Sequence, residues 1–486
     1  MKQLLGNLKR TANRRSFMSK LSWWKTACAV ALLCVATAKA SPAQTFTTLV
    51  NFNYTNGANP SMSLVQGTDG NLYGTTDGGG ANGEGTVFKV TPTGTLTTLY
   101  SFCAKTNCTD GSVPFGGLVL GTDGNFYGTT SEGGISADPC GGDCGTVFKI
   151  SPAGKLTTLH SFDYTGGYTP YGPLVQATNG NFYGTTQSGS AYSITSGGTF
   201  TTVLADGVGG YALIQATNGI FYGAGGGGPD GTVYSITSGG TLTTLHSFDG
   251  TDGYGPFGPL VQASNGNFYG TTSQGGANLC DTEIFIGCGT VFEITPGGTL
   301  TTLDKFDASD GCYPNGSMIQ ATNGNFYGTT VYGDTAGGCY LTPGTIFSIT
   351  PGGTLTTVHN FDNADGENPS GGLVQATNGT FYGTASQGGA GSQCGYGCGT
   401  IFSLSLGLGP FVETLPTSGK VGAAVMILGT TLTGATGVTF NGTAAVFKVV
   451  SSSEITTTVP TGATTGEVKV VTPSGTLSSN VSFRVP

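Results

Sequence analysis

Arginine is nearly missing from this chain: beyond residue 40 it occurs once, at Arg484. Charged residues of every kind make up only 9%. Residues 1–40 hold eight of the 17 Lys and Arg and no acid, so nine bases face 26 acids in the remainder. A phosphate backbone is gripped by Lys and Arg that displace its counterions, and anionic lipid attracts the same residues. The composition therefore excludes nucleic-acid binding and docking on an acidic membrane surface. Histidine is almost as scarce. His160, His246 and His359 all follow LTTL or LTTV, where other copies of the motif have Val50, Tyr100, Leu204 and Asp304. Repeat symmetry keeps them apart, which excludes an ion held by converging imidazoles. No Gly-x-Ser-x-Gly elbow or phosphate-cradling loop stands out either, the glycine clusters reading as turns. The long apolar run, residues 26–38, is too short for a good membrane span.

That run follows a basic stretch and precedes Ala38-Lys39-Ala40, so residues 1–40 read as an export signal cleaved before Ser41. Asn13-Arg14-Arg15-Ser16-Phe17-Met18 resembles a twin-arginine signal; the alternative is an ordinary signal starting at Met18. Both routes place the mature chain outside the cytoplasm, at the cell surface, in the periplasm or beyond, without a membrane span. Ten of the twelve cysteines remain after cleavage. Cys103/Cys108, Cys140/Cys144, Cys280/Cys288 and Cys394/Cys398 form close pairs and leave Cys312 with Cys339. In an exported protein this predicts five local disulfides. Metal binding is the weaker reading, because no repeat adds a second pair or a His to complete four ligands.

What the chain has in abundance is repetition. Seven copies carry a strand ending in FYG (LYG in the first), a loop, a strand beginning GTVF or a close variant, a Gly-containing turn, and a strand LTTL. The glycines closing the aromatic triplet are Gly74, Gly128, Gly184, Gly223, Gly270, Gly328 and Gly383, spaced 54, 56, 39, 47, 58 and 55 residues apart. A period near fifty with several short strands per unit marks a propeller or array. In the fifth copy the expected strands are residues 259–263, 268–272, 289–295 and 299–304, with an Asn-Gly hairpin between the first two. Phe268 and Tyr269 must face opposite sides of the sheet, so both sides are expected to be buried between blades.

The last copy stops after its third strand, residues 399–404, and the missing LTTL-like strand lies at residues 46–52. The expected fold is thus all-β: a seven-bladed propeller over residues 45–404, closed by its N-terminal strand. A linker at 405–409 leads to a small Ig-like β-sandwich at 410–486.

Gly372-Leu-Val-Gln-Ala-Thr-Asn-Gly-Thr-Phe-Tyr-Gly383 and residues 289–303 resemble the GloVer tandem-repeat proteins of the choice-of-anchor group. Leu415-Pro-Thr-Ser-Gly419, Gly434-Ala-Thr-Gly-Val-Thr-Phe440 and Thr458-Val-Pro-Thr-Gly-Ala-Thr-Thr-Gly466 resemble an IPT/TIG immunoglobulin-like domain. The first resemblance implies a bacterial exported protein with an anchor or adhesion module. The second implies a spacer or interaction module. Neither supplies catalytic residues.

The strand order sorts the connections. The short Asn-Gly and Pro-Gly-Gly turns share one face, which gives that face little to bind with. The long loops and all ten cysteines share the other, where binding function is expected. There Phe115, Tyr171 and Phe257, each after a proline, together with Tyr313, could ring the channel mouth and contact a ligand; the alternative is packing between blades. Asp249/Asp252, Asp307/Asp310 and Asp362/Asp365 could bind Ca²⁺, or could simply make turns; no other cofactor is expected. Short loops at 187–190 and 225–228 would leave a notch in the rim. The expected function is a non-catalytic exported propeller that binds glycan or a surface protein. The alternatives are a polysaccharide-degrading enzyme working through a carboxylate pair, or a purely structural surface protein.

Overall fold

The computed structural model describes residues 44–134, 144–226, 228–276, 287–333 and 343–486. The expected export signal, Cys140, Cys280, Cys339 and Gly227 lie outside them. The described residues form nine four-stranded sheets and no α-helix. Seven of the sheets are the repeats, numbered here as blades one to seven in chain order.

Blade five shows the pattern. Val261–Gln262, Phe268–Thr272, Thr290–Ile294 and Leu300–Lys305 pair antiparallel in sequence order. The first strand is shorter than expected, as it is in blades one, three, six and seven. Phe268 and Tyr269 are both buried. Tyr269 stacks on Phe326 of blade six, with ring centroids 4.1 Å apart. The same Tyr-on-Phe contact joins blades one and two (Tyr73–Phe126, 4.0 Å) and recurs as far as Tyr327–Phe381. Each of these Tyr hydroxyls is held by the Asn or Asp four residues earlier in the hairpin turn, as in Asn265 Nδ2 to Tyr269 Oη at 2.9 Å.

The triplet glycine has a different task. Gly270 lies opposite Phe292 on the third strand. A Cβ on it would fall 2.5 Å from Phe292 Cζ. All seven triplet glycines face the third-strand aromatic of their own blade in this way.

The seventh sheet is ordered Thr45–Asn51, Thr400–Ser405, Phe381–Ala385, Val374–Gln375. The N-terminal strand therefore takes the outer position. Blade seven packs on blade one through a cluster containing Tyr382, Ile401, Phe52, Leu72 and Phe88. Leu72 stands where the other copies have Phe, and Tyr382 meets it. The Thr377 N–H donates to Gln66 Oε1 of blade one at 2.9 Å. Five more junctions carry the same backbone-to-glutamine bond at 2.8–3.0 Å. Only between blades one and two is the position Leu120.

The tail folds as two four-stranded sheets. One holds Glu413–Leu415, Ala424–Leu428, Glu454–Thr458 and Phe447–Val449, and the other Thr443–Ala444, Gly437–Phe440, Val468–Thr472 and Gly475–Ser478. Their inner faces share one core around Ile427, Phe440, Ile455, Val470 and Phe483.

Candidate functional site

At the start of six of the seven blades the chain makes a tight bend before a proline; blade four has Gly209-Gly210 there instead. Asn59, Val113, Thr169, Tyr313 and Asn368 each precede a proline with φ between 53° and 60°. Such angles are costly for a β-branched residue and persist only where packing enforces them. Here the proline packs against the glycine that opens the third strand of the preceding blade: a Cβ on Gly289 would lie 2.8 Å from Pro314 Cδ. The residue after the proline is thereby aimed into the channel. A glycine follows it in most blades, because neighbouring backbones close in there. Cβ atoms on Gly258 and Gly316 would sit 3.0 and 3.1 Å from the carbonyl oxygens of Gly316 and Gly371.

These bends surround a cavity of about 430 Å³. Phe115, Tyr171, Phe257 and Tyr313, the four aromatics expected to ring the mouth, all line it. Each is half-buried, so the ligand and packing readings meet: part of each side chain is covered and part presents surface. Phe115 and Tyr171 touch edge to face, with centroids 4.7 Å apart. Burial raises the Tyr313 phenol above its ordinary range, keeping it a neutral donor.

Blades six, seven and one are polar instead. The residues after the proline there are Asn315, Ser370 and Ser61, all lining the cavity. Ser63 and Ser317 meet at 3.3 Å beside Gly372, where a side chain would collide with both. The mouth is thus amphipathic, aromatic along one arc and hydroxyl- and amide-bearing along the other.

Sequence reasoning missed Asp77. It stands where other blades have Ser131, Ser273 or Ser386. Ser61 Oγ donates to Asp77 Oδ2 at 2.6 Å. Burial pushes this carboxyl up to about 7, the Ser61 bond opposing the shift. The signal was an acid in a serine column.

The six calcium candidates are engaged locally. Asp249 Oδ1 accepts from Thr251 N and Oγ1, and Asp252 Oδ1 accepts from Asp249 N. Asp307/Asp310 and Asp362/Asp365 repeat this turn. The free oxygens of Asp252 and Asp365 bond His246 and His359 at 2.7 and 2.9 Å, which explains two members of the histidine column; the third, His160, stacks on Phe200 with centroids 3.8 Å apart. In blade one Tyr100 plays that part, donating to Asp110 at 2.6 Å. Blade five has Asp304 beside Asp310; burial, with charge repulsion adding to it, raises both carboxyls, Asp310 to about 7. No group of three or more His, Cys, Asp or Glu among the described residues is arranged to hold a metal ion.

Cys103–Cys108 and Cys394–Cys398 are disulfides on the loop face. Cys144, Cys288 and Cys312 are disulfide-bonded too. The 187–190 connection is a tight turn closed by the Thr186 N–H to Ser190 carbonyl bond. The long loops it was compared with in blades two, five and six lie largely outside the described residues.

Seven radial sheets with a channel mouth at one end define a β-propeller followed by an Ig-like domain. Residues 36–208, 188–392 and 281–426 match the model of the Gloeobacter/Verrucomicrobia repeat, and residues 411–485 that of the IPT/TIG domain. The chain belongs to the Gloeobacter/Verrucomicrobia repeat family. No curated protein matches it. Among solved structures it is similar to a streptogramin B lyase, at 14% identity and TM-score 0.51, over 76% of this chain and 99% of that one. Weaker likenesses are the extracellular domain of a protein described as a hybrid two-component system from B. thetaiotaomicron and the PQQ-bound aldose sugar dehydrogenase of Streptomyces coelicolor. The first has 9% identity and TM-score 0.49, over 79% of this chain and 45% of that one. The second has 15% identity and TM-score 0.38, over 75% and 99%. At such identities the likeness concerns the fold.

Proposed function

We propose that this protein is a non-catalytic, exported propeller that binds glycan at the aromatic mouth of its channel. The observation that carries the reading is the two-sided lining. Sugar rings offer C–H faces that lie on aromatic rings and hydroxyl edges that need hydrogen-bond partners. Phe115, Tyr171 and Phe257 meet the first need; Asn315, Ser370 and Ser61 meet the second. Among the described residues the wall of the cavity carries no acidic side chain, and Asp77 bonds to it through Ser61. A glycosidase would set two carboxyl groups across the bond it cleaves. Disulfides on the loop face suit a protein working outside the cytoplasm. No helix among the described residues is long and apolar enough to cross a membrane.

A glycan-array screen followed by calorimetry tests the reading. Phe115→Ala, Tyr171→Ala and Phe257→Ala are each expected to weaken binding about ten-fold or more. Unchanged affinity in all three would remove the mouth as the site.

A further inference from the structure

The face carrying the Asn-Gly turns was expected to offer little. It instead supports the tail. Ser453 Oγ donates to the Thr68 carbonyl at 2.7 Å, and the Thr377 and Thr430 hydroxyls meet at 3.0 Å. Leu415 and Leu428 join the cluster of Tyr73, Leu118 and Leu120. The tail thus stands on blades seven, one and two. Over blades two to five it overhangs the channel end, and a cavity of about 800 Å³ lies between. Val119, Val175, Ile214 and Val261 form the ring side; Leu415 and Met426 face them from the tail.

Arg484 lines the same cavity. Its backbone is pinned at both groups: its N–H donates to the Thr417 carbonyl at 3.0 Å, and its carbonyl accepts from Gly419 N at 3.0 Å. Its guanidinium has no hydrogen bond or ion pair among the described residues. A lone arginine held over an apolar hollow, in a chain of net charge −9, leaves a planar fork of donors for an anion. Carboxylates fit that fork in a bidentate way.

We propose that the hollow between ring and tail is a second binding site, for an amphipathic carboxylate. The apolar body lies along the valines and Met426, and the head pairs with Arg484. The site is separate from the channel mouth, so it stands or falls independently of glycan binding. Calorimetry on the full chain, with dodecanoate kept below its micelle concentration, tests it. One saturable site is expected. Arg484→Gln should weaken it about ten-fold or more, while Lys420→Gln, which removes an exposed tail charge of the same sign, should not. Dodecanol, with the same body and no charge, should bind more weakly by a similar factor. Absence of saturable binding, equal affinity in Arg484→Gln, or equal affinity for dodecanol would overturn the proposal.

Discussion

Single side chains in this propeller do work that the repeat pattern announces without explaining. The triplet glycine is legible as a column, but its reason lies across the sheet, in Phe292 and its counterparts. Gly270→Ala should cost about 1–3 kcal/mol, since Phe292 must leave its rotamer; a urea midpoint measures it. The histidine column is legible too, and its partner was not: the sequence shows His246 and Asp252 six apart, but not the turn that brings them together. That pairing makes Asp304 an exception. Asp304→His would install in blade five, beside Asp310, the bond that His246–Asp252 makes in blade four and His359–Asp365 in blade six. A gain of about 1 kcal/mol at pH 7 is expected, together with a fall in the Asp310 titration point followed by NMR. Asp77 gives a signed pH test. The fold keeps it protonated up to about 7, whereas its ordinary value is 3.8. Unfolding therefore releases a proton between those values, and the stability this group allows falls as pH rises through that window. Asp77→Asn, neutral throughout, should gain on the parent by about 1–3 kcal/mol between pH 4 and pH 8. A constant difference in urea midpoints across that range would contradict the assignment.

Strands and their order were the most readable level, because a period-two strand and an Asn-Gly turn are local facts. The first strand was overestimated: only two of its residues pair in most blades, including those with serine or glycine where blade five has Pro259. The offset copy at the N-terminus is confirmed in detail by one ring. Phe46 stacks on His359 of blade six, with centroids 3.7 Å apart. Phe200 stacks on His160 at 3.8 Å in the same way. Each is a Phe where other outer strands begin with Leu, and each meets a His on the preceding blade. Phe46→Ala and Phe200→Ala should therefore cost similar amounts, about 2 kcal/mol each, by chemical denaturation. A negligible effect at Phe46 alone would mean that the leading strand is loosely held.

At the scale of the whole molecule, repeat reasoning supplied the ring and missed how the tail sits on it. The clue was Leu120. Six junctions use a glutamine to bind the neighbouring turn; the one that does not is where Leu415 and Leu428 arrive. Leu120→Gln should thus change sign with context. In the full chain it should destabilise by about 1–2 kcal/mol, placing an amide against the tail leucines. In a chain ending at residue 409 it should stabilise by about 1 kcal/mol, completing the set of bridges. Thermal unfolding of the four proteins measures the cycle; the same sign in both backgrounds would mean that the tail does not rest there. The leading strand has a consequence of its own. One sheet in seven is completed by a segment hundreds of residues away from its mates, and nothing in its fit identifies the molecule it came from. In concentrated solution such a segment can be donated to a second copy, whose own is then free to pass to a third. A chain that closes its own last blade carries within it the means to link to others.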